Sequence, residues 1–173
     1  MFFELIGTIL AGVATALLFW AVNRALKGRL PSWLMPVSAG LAMLIATISS
    51  EYGWYDRTTA AMPQGFFVAQ TVQEQVFYRP WTYAIPLTTR FIAVDQASTR
   101  THPAQPQQRI VDLVFYGRWA RTAKVPMLFD CDANRRADIV DGIEFGADGD
   151  VLDADWISLN AGDPVLKAAC AQT

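Results

Sequence analysis

A row of oxygen-bearing side chains follows Phe129, at a spacing that suits a calcium ion. Relative positions 1, 3, 5, 9 and 12 of this row are Asp130, Asp132, Asn134, Asp138 and Asp141. Calcium takes six to eight hard oxygen ligands, but position 6 of such a loop needs glycine for its sharp turn. Arg135 stands there, and Arg136 follows it. A solvated acidic hairpin, with both arginines paired to carboxylates, is therefore the favoured interpretation. We expect no cofactor, and calcium is the alternative.

The residue types give little support for catalytic chemistry. The only histidine, His102, lies in a polar, proline-containing stretch, and no nucleophile-elbow motif or glycine-rich phosphate loop occurs. The acidic residues cluster in expected turns, where solvation keeps two carboxylates from acting as an acid and base pair. We assign no catalytic residues and expect a protein that is not an enzyme.

Charge is distributed unevenly along the chain. Residues 1–50 carry three basic residues and one acid, whereas residues 51–173 carry 11 Lys/Arg and 15 Asp/Glu. No stretch forms the basic footprint that nucleic-acid binding requires, so nucleic acid is excluded as a partner.

Two apolar runs near the N-terminus predict a transmembrane hairpin over residues 1–50. The runs Leu5–Val22 and Trp33–Ser50 each hold 18 uncharged residues. About 20 residues in a helix cross the hydrocarbon core of a bilayer. We expect spans at about residues 3–22 and 33–50. A cleaved signal peptide is the disfavoured alternative, because the basic residues follow the first run rather than precede it.

The loop between the spans predicts their direction. It contains Arg24, Lys27 and Arg29 and no acid. Short loops rich in Lys and Arg stay in the cytoplasm, so the N-terminus and the C-terminal domain are expected in the periplasm of a bacterial inner membrane. Neither span holds an ionisable residue at depth, which argues against a transporter or proton pathway.

Small residues at helical spacing in both spans predict close helix packing. They serve either the hairpin itself or the docking of another membrane protein. The residues concerned are Gly12, Ala16, Ser38, Ala42 and Ala46.

After an expected juxtamembrane stalk at 51–66, residues 67–173 predict a periplasmic α+β domain. Alternating apolar residues indicate an antiparallel sheet of four to six strands, with a polar loop at 96–107. Asp163 and Pro164 are typical of a helix start, which predicts a C-terminal helix. In an oxidising compartment, Cys131 and Cys170 are expected to form a disulfide. The predicted fold class is thus α+β: a two-helix transmembrane hairpin, then a small antiparallel-sheet extracytoplasmic domain.

An aromatic segment around Pro80 offers candidate partner contacts. Exposed aromatic residues beside an arginine make good interface anchors, although core aromatics of the sheet are the alternative. The candidates are Tyr78, Trp81 and Tyr83.

The stretch FDCDANRRADI, a later tryptophan and the stretch NAGDPVLKAAC resemble small bacterial surface-adhesin-E-like domains. The matching positions are Asp130, Cys131, Arg135 or Arg136, Trp156 and Cys170. The resemblance implies a compact secreted or periplasmic α+β fold with a disulfide, and it implies no reaction. The two-span anchor departs from the secreted or lipoprotein form of that family.

Three functions follow as hypotheses. The first is a non-enzymatic accessory or scaffold subunit of an inner-membrane complex, whose partners are the lipid bilayer and other membrane protein subunits. The second is a periplasmic ligand- or calcium-binding sensor module anchored in the membrane. The third is an enzyme of the cell envelope.

Overall fold

The computed structural model describes residues 2–139, 144–145, 151–152 and 154–171. The chain divides into two compact units, Met1–Arg57 and Thr58–Thr173. The first contains the two apolar helices, and the second contains an antiparallel sheet with a C-terminal helix and a disulfide. The predicted α+β class is confirmed.

The first unit is a hairpin of two helices, α1 (Phe2–Ala25) and α2 (Leu34–Ala60). Both are long and apolar enough to cross a membrane, and little of either is buried in the structure. The connecting loop turns at Lys27 and Gly28, which both have positive φ (55° and 76°). The side chain of Asn23 accepts a hydrogen bond from the amide of Leu30 (3.0 Å) and so closes the turn.

The expected stalk at 51–66 is largely helical, because α2 continues to Ala60. Residues 51–60 include no proline or other strong helix breaker apart from Gly53, and the first proline beyond them is Pro63. The prediction equated the end of the apolar run with the end of the helix. A helix can leave a membrane and continue, since its backbone hydrogen bonds do not depend on apolar side chains.

The second unit is built on a curved six-stranded antiparallel sheet, a half-barrel. Its strands stand in the order β1-β2-β3-β4-β5-β8, and a separate pair joins β6 to β7. The strands are β1 (Phe66–Glu74), β2 (Leu87–His102), β3 (Gln105–Gly117), β4 (Ala123–Asp130), β5 (Arg135–Asp138), β6 (Glu144–Phe145), β7 (Val151–Leu152) and β8 (Ile157–Ser158).

The predicted polar loop at 96–107 is wrong, because β2 and β3 run through it. Arg100 pairs with Ile110 and His102 with Gln105, so the hairpin turns only at 103–104. An irregularity between Asp95 and Arg100 interrupts the ladder. This end of the hairpin is mostly solvated on both faces, so it lacks the alternation of apolar and polar residues that marks a half-buried strand.

The C-terminal helix α3 (Pro164–Cys170) begins as predicted. The Asp163 carboxylate accepts hydrogen bonds from the amides of Val165 and Leu166, both at 2.9 Å, and Pro164 opens the first turn. The helix packs on one face of the sheet and completes a core whose members are Val94, Val111, Leu113, Met127, Phe129, Val165, Leu166 and Ala169. Two of the predicted apolar alternations, in β3 and β4, supply most of the sheet side of this core, and Val94 of β2 supplies the rest.

Candidate functional site

The predicted disulfide joins Cys131, just after β4, to Cys170 at the end of α3. Their Cα atoms are 5.8 Å apart, and 39 positions separate them in the chain. The amide of Cys131 also donates to the carbonyl of Gln107 (3.0 Å), which fixes the position of the first cysteine beside β3. The bridge therefore ties the covering helix to the centre of the sheet.

Asp130 lies on the other face of the sheet, where its buried carboxylate pairs with the partly exposed side chain of Arg135. One oxygen of its carboxylate accepts from both Nε and a terminal nitrogen of Arg135 (3.0 and 2.8 Å), and the other accepts from the amide of Ala133 (3.0 Å). The guanidinium of Arg135 stacks on the Trp156 ring at 4.2 Å. Asp130 is only 4% exposed. Arg135 thus links the Asp130 carboxylate to the Trp156 ring.

The calcium ligands predicted after Phe129 are not brought together in the part of the chain that the structure describes. Both carboxylate oxygens of Asp130 already accept hydrogen bonds, and Asp132 and Asp138 are exposed. Asn134 adopts a positive φ of 51° and turns the chain into β5. Asp141 lies outside the described residues. Among those described, no three His, Cys, Asp or Glu side chains form a group that could hold a metal ion.

A cluster of two carboxylates and one lysine lies on the same face as Asp130. The Lys124 ammonium is 3.0 Å from a carboxylate oxygen of Asp95 and 3.0 Å from one of Asp112. Both aspartates are buried, at 6% and 9% exposed, while half of the lysine side chain reaches solvent. Hydrogen bonds to Asp112 and then Asp95 raise the pKa of Lys124 above its ordinary value of 10.5.

Replacing Lys124 by methionine is expected to lower the melting temperature at neutral pH, because two adjacent carboxylates lose their shared cation. Since the folded-state pKa of Lys124 is raised, its contribution is complete below pH 10.5 and is lost as pH rises through the folded pKa. The wild type should therefore lose stability above pH 10.5 by a component that Lys124→Met lacks. Thermal melts across pH measure this, with Lys124→Arg as the control that keeps a cation. Parallel alkaline profiles for the wild type and Lys124→Met would contradict the assignment.

The aromatic segment divides into exposed and half-buried residues. Tyr78 and Tyr83 are 64% and 59% exposed, whereas Trp81 is half-buried, in the single-turn 3-10 helix Pro80–Tyr83. Thr82 belongs to this turn and is fully buried. Its hydroxyl donates to the carbonyl of Arg79 (2.7 Å) and accepts from the amide of Val76 (3.0 Å), so it links the turn to the residues before it.

A cavity of about 440 Å³ opens beside this segment, at the end of the sheet where β1 and β3 finish and β2 begins. Its polar walls carry Arg79, Arg90 and Arg118. Tyr78 and Trp119 also line it, and Trp119 is 60% exposed. Trp119 lies beyond the end of β3, which is at Gly117.

These features define an α+β half-barrel domain closed by a disulfide, in a chain that also carries two candidate membrane-spanning helices. The comparisons with known proteins place it no further, since no protein-family model, curated protein or solved structure matches the chain. The resemblance to surface-adhesin-E-like domains stays a prediction. Of the two arginines left open in that motif, Arg135 is the one that contacts both Asp130 and Trp156.

Sequence reasoning missed the lysine cluster and the arginine cavity. The signal for the lysine cluster was a carboxylate in the middle of each of two apolar strands, Asp95 and Asp112. A carboxylate in such a position is rarely buried unless it is paired, so each one indicated a cationic partner. The arginines of the cavity come from positions up to 39 residues apart, Arg79 to Arg118, and no local spacing connects them.

Proposed function

We propose that this protein is a non-enzymatic accessory or scaffold subunit of a bacterial inner-membrane complex. The hairpin anchors it in the bilayer, with the basic loop at 23–32 in the cytoplasm and the sheet domain in the periplasm. The positive charge of that loop supports this orientation, and so does the disulfide, which persists in an oxidising compartment.

The observation that carries the proposal is an exposed apolar segment on the sheet domain. Residues of this segment expose most of their surface, from 59% to 83%, although none belongs to a candidate membrane helix. Contiguous exposed apolar groups on a folded domain mark interaction sites, and aromatic residues are enriched at the centre of protein interfaces. The residues are Phe77, Tyr78, Tyr83 and Ile85.

Hydrogen bonds and a ring contact within the segment also restrain it before it binds. Thr82 links the turn to the residues before it, and the rings of Phe77 and Tyr78 pack edge to face at 5.6 Å. A preformed surface loses less freedom on association than a mobile loop does. The partner in this proposal is the periplasmic part of another membrane protein subunit.

In this proposal the hairpin contacts partner spans through its large outward-facing residues. At least one of its small residues, Gly12, serves packing within the hairpin instead. Gly12 packs inside the hairpin, where an added Cβ would lie 2.8 Å from the Met43 side chain. Leu17 and Leu41 are 61% and 56% exposed. Such side chains face lipid or partner spans in the proposed complex.

Purification of the full chain from native membranes in a mild detergent tests this function. A defined protein should co-purify with the wild type, and Tyr78→Ser/Tyr83→Ser should lose most of it. Ile157→Ser is the matched control, since Ile157 is a 48% exposed apolar residue on β8, outside the segment. A wild-type monomer with no co-purifying protein, or equal loss of the partner in the control, would refute the proposal.

A further inference from the structure

A small cavity lies within the first unit, at the turn between its two helices, and we call it the hairpin cavity. Large apolar side chains from both helices form most of its wall. They are Phe19 and Trp20 of α1, and Leu34 and Met35 of α2. The volume is about 130 Å³, below the range of roughly 300–1,000 Å³ typical of sites that enclose a small molecule. A cavity of this size holds one segment of a longer apolar molecule, whose remainder lies along the helices.

Two tryptophans indicate the depth of the hairpin cavity in a bilayer. Trp20 lies near the end of α1, and Trp33 directly precedes α2. Their side chains are 57% and 59% exposed. In membrane proteins tryptophan is enriched where the hydrocarbon core meets the lipid headgroups. A molecule in this cavity therefore has its polar end at the turn and its apolar part between the acyl chains.

Three basic side chains flank the cavity, and none of them is neutralised within the part of the chain that the structure describes. Arg24 directly follows Asn23, which lines the cavity. Arg29 directly precedes Leu30, which also lines it, and Lys27 lies between the two arginines. All three basic residues are exposed, and among the described residues none has an ion pair or a side-chain hydrogen bond. The loop contains no acid, so its local charge of three is uncompensated.

The hydrogen bonds that close the turn leave further donors beside the cavity. The side-chain oxygen of Asn23 accepts from the amide of Leu30 (3.0 Å), and its backbone carbonyl accepts from the amide of Gly28 (2.8 Å). The side-chain nitrogen of Asn23 carries two more donors, which have no partner among the described residues. Ser32 adds a hydroxyl to the same wall. Neutral donors next to three cations are complementary to phosphate oxygens.

We propose that the hairpin turn binds one anionic phospholipid. Arg24, Lys27 and Arg29 contact its phosphate, the Asn23 side chain donates to a phosphate oxygen, and the first segment of one acyl chain enters the hairpin cavity. Basic pockets between membrane helices bind the headgroups of anionic lipids in this way. The proposal rests on the proposed placement of the hairpin in a bilayer, and it is independent of the docking role of the sheet domain.

Charge complementarity determines which class of phospholipid occupies the site. An anionic headgroup neutralises the three cations of the loop, whereas a zwitterionic headgroup brings a cation of its own, which they repel. The apolar wall distinguishes a lipid from free phosphate, because only the lipid also fills the hairpin cavity. We therefore expect anionic phospholipid to bind in preference to zwitterionic phospholipid and to inorganic phosphate.

Native mass spectrometry of the full chain, released from a non-ionic detergent after removal of endogenous lipid, tests the site. The probes are phosphatidylglycerol and phosphatidylethanolamine with identical acyl chains, and inorganic phosphate. One phosphatidylglycerol molecule should be retained per chain, roughly tenfold more tightly than phosphatidylethanolamine. Because the chain is purified alone, this result does not depend on whether a partner subunit docks.

The variants Arg24→Gln and Arg29→Gln should each weaken the binding of phosphatidylglycerol by roughly fivefold and that of phosphatidylethanolamine much less. Both residues are exposed, and each variant keeps two cations in the loop. Arg121→Gln is the matched control, because Arg121 is an exposed arginine of the sheet domain. Equal retention of the two phospholipids, retention of inorganic phosphate without lipid, or equal weakening by Arg121→Gln and Arg24→Gln would overturn the proposal.

Discussion

Replacing both Cys131 and Cys170 by serine is expected to lower the free energy of unfolding of the sheet domain by about 4 kcal/mol. The bridge closes a loop of 39 positions, and the chain-entropy relation assigns about this value to a loop of that length. The loss matters because α3 completes the core through Val165, Leu166 and Ala169, and without the bridge only non-covalent contacts hold it. Urea denaturation followed by near-ultraviolet circular dichroism measures the change.

Two comparisons make this prediction specific. The wild type treated with a reductant should lose nearly as much stability as the serine variant, whereas the variant itself should not respond to the reductant. In intact cells the cysteines should resist alkylation until they are reduced. Free thiols in cells would place the domain on the reducing side of the membrane and reverse the orientation we propose.

The second large effect is expected at Asp130. Replacing it by alanine removes two hydrogen bonds from Arg135 and one from the amide of Ala133. The expected loss is about 2–3 kcal/mol, in the upper part of the range for hydrogen bonds to charged groups; the partial exposure of Arg135 keeps it from being larger. The same denaturation experiment measures it.

Measuring stability with calcium and with a chelator distinguishes the two interpretations of this loop, an ion pair with Arg135 and a calcium site. If Asp130 acts through Arg135, Asp130→Ala should be destabilised equally with calcium and with a chelator. The control is Asp132→Ala, an exposed residue of the same row, which should change stability little. A wild-type melting temperature that rises with calcium, and no longer does so in Asp132→Ala, would restore the calcium loop.

The parts of the fold that sequence reasoning predicted correctly are those with a local periodic signal. The apolar runs of α1 and α2 predict membrane-length helices directly, and the alternation through Val111, Leu113 and Phe115 predicts β3 and its buried face. Asp163 and Pro164 predict the start of α3, because capping depends on residues within one turn. Pairing of the two cysteines followed from their number and from the predicted compartment.

Sequence reasoning failed where a strand carries no periodic signal or where the deciding contacts are not local. The region 96–107 forms strand because each partner segment lies across a two-residue turn, and its solvated residues show no periodicity. The arginine cavity could not be predicted, since its walls meet only after β1, β2 and β3 have paired. Arg135 was predicted to pair with a neighbouring carboxylate, but only the structure identifies Asp130 as that partner and Trp156 as its stacking ring.

The cluster of Asp95, Asp112 and Lys124 joins three consecutive strands, and this has a consequence for how the sheet assembles. Asp95 stands directly opposite Asp112, and Lys124 lies opposite Val114, one step along the same face. Shifting either hairpin by a single residue would turn charged groups into the apolar layer beneath α3, among Val94 and Val111. Burying these charges among apolar residues would cost free energy. The three charged residues therefore favour the native alignment of β2, β3 and β4 over shifted ones.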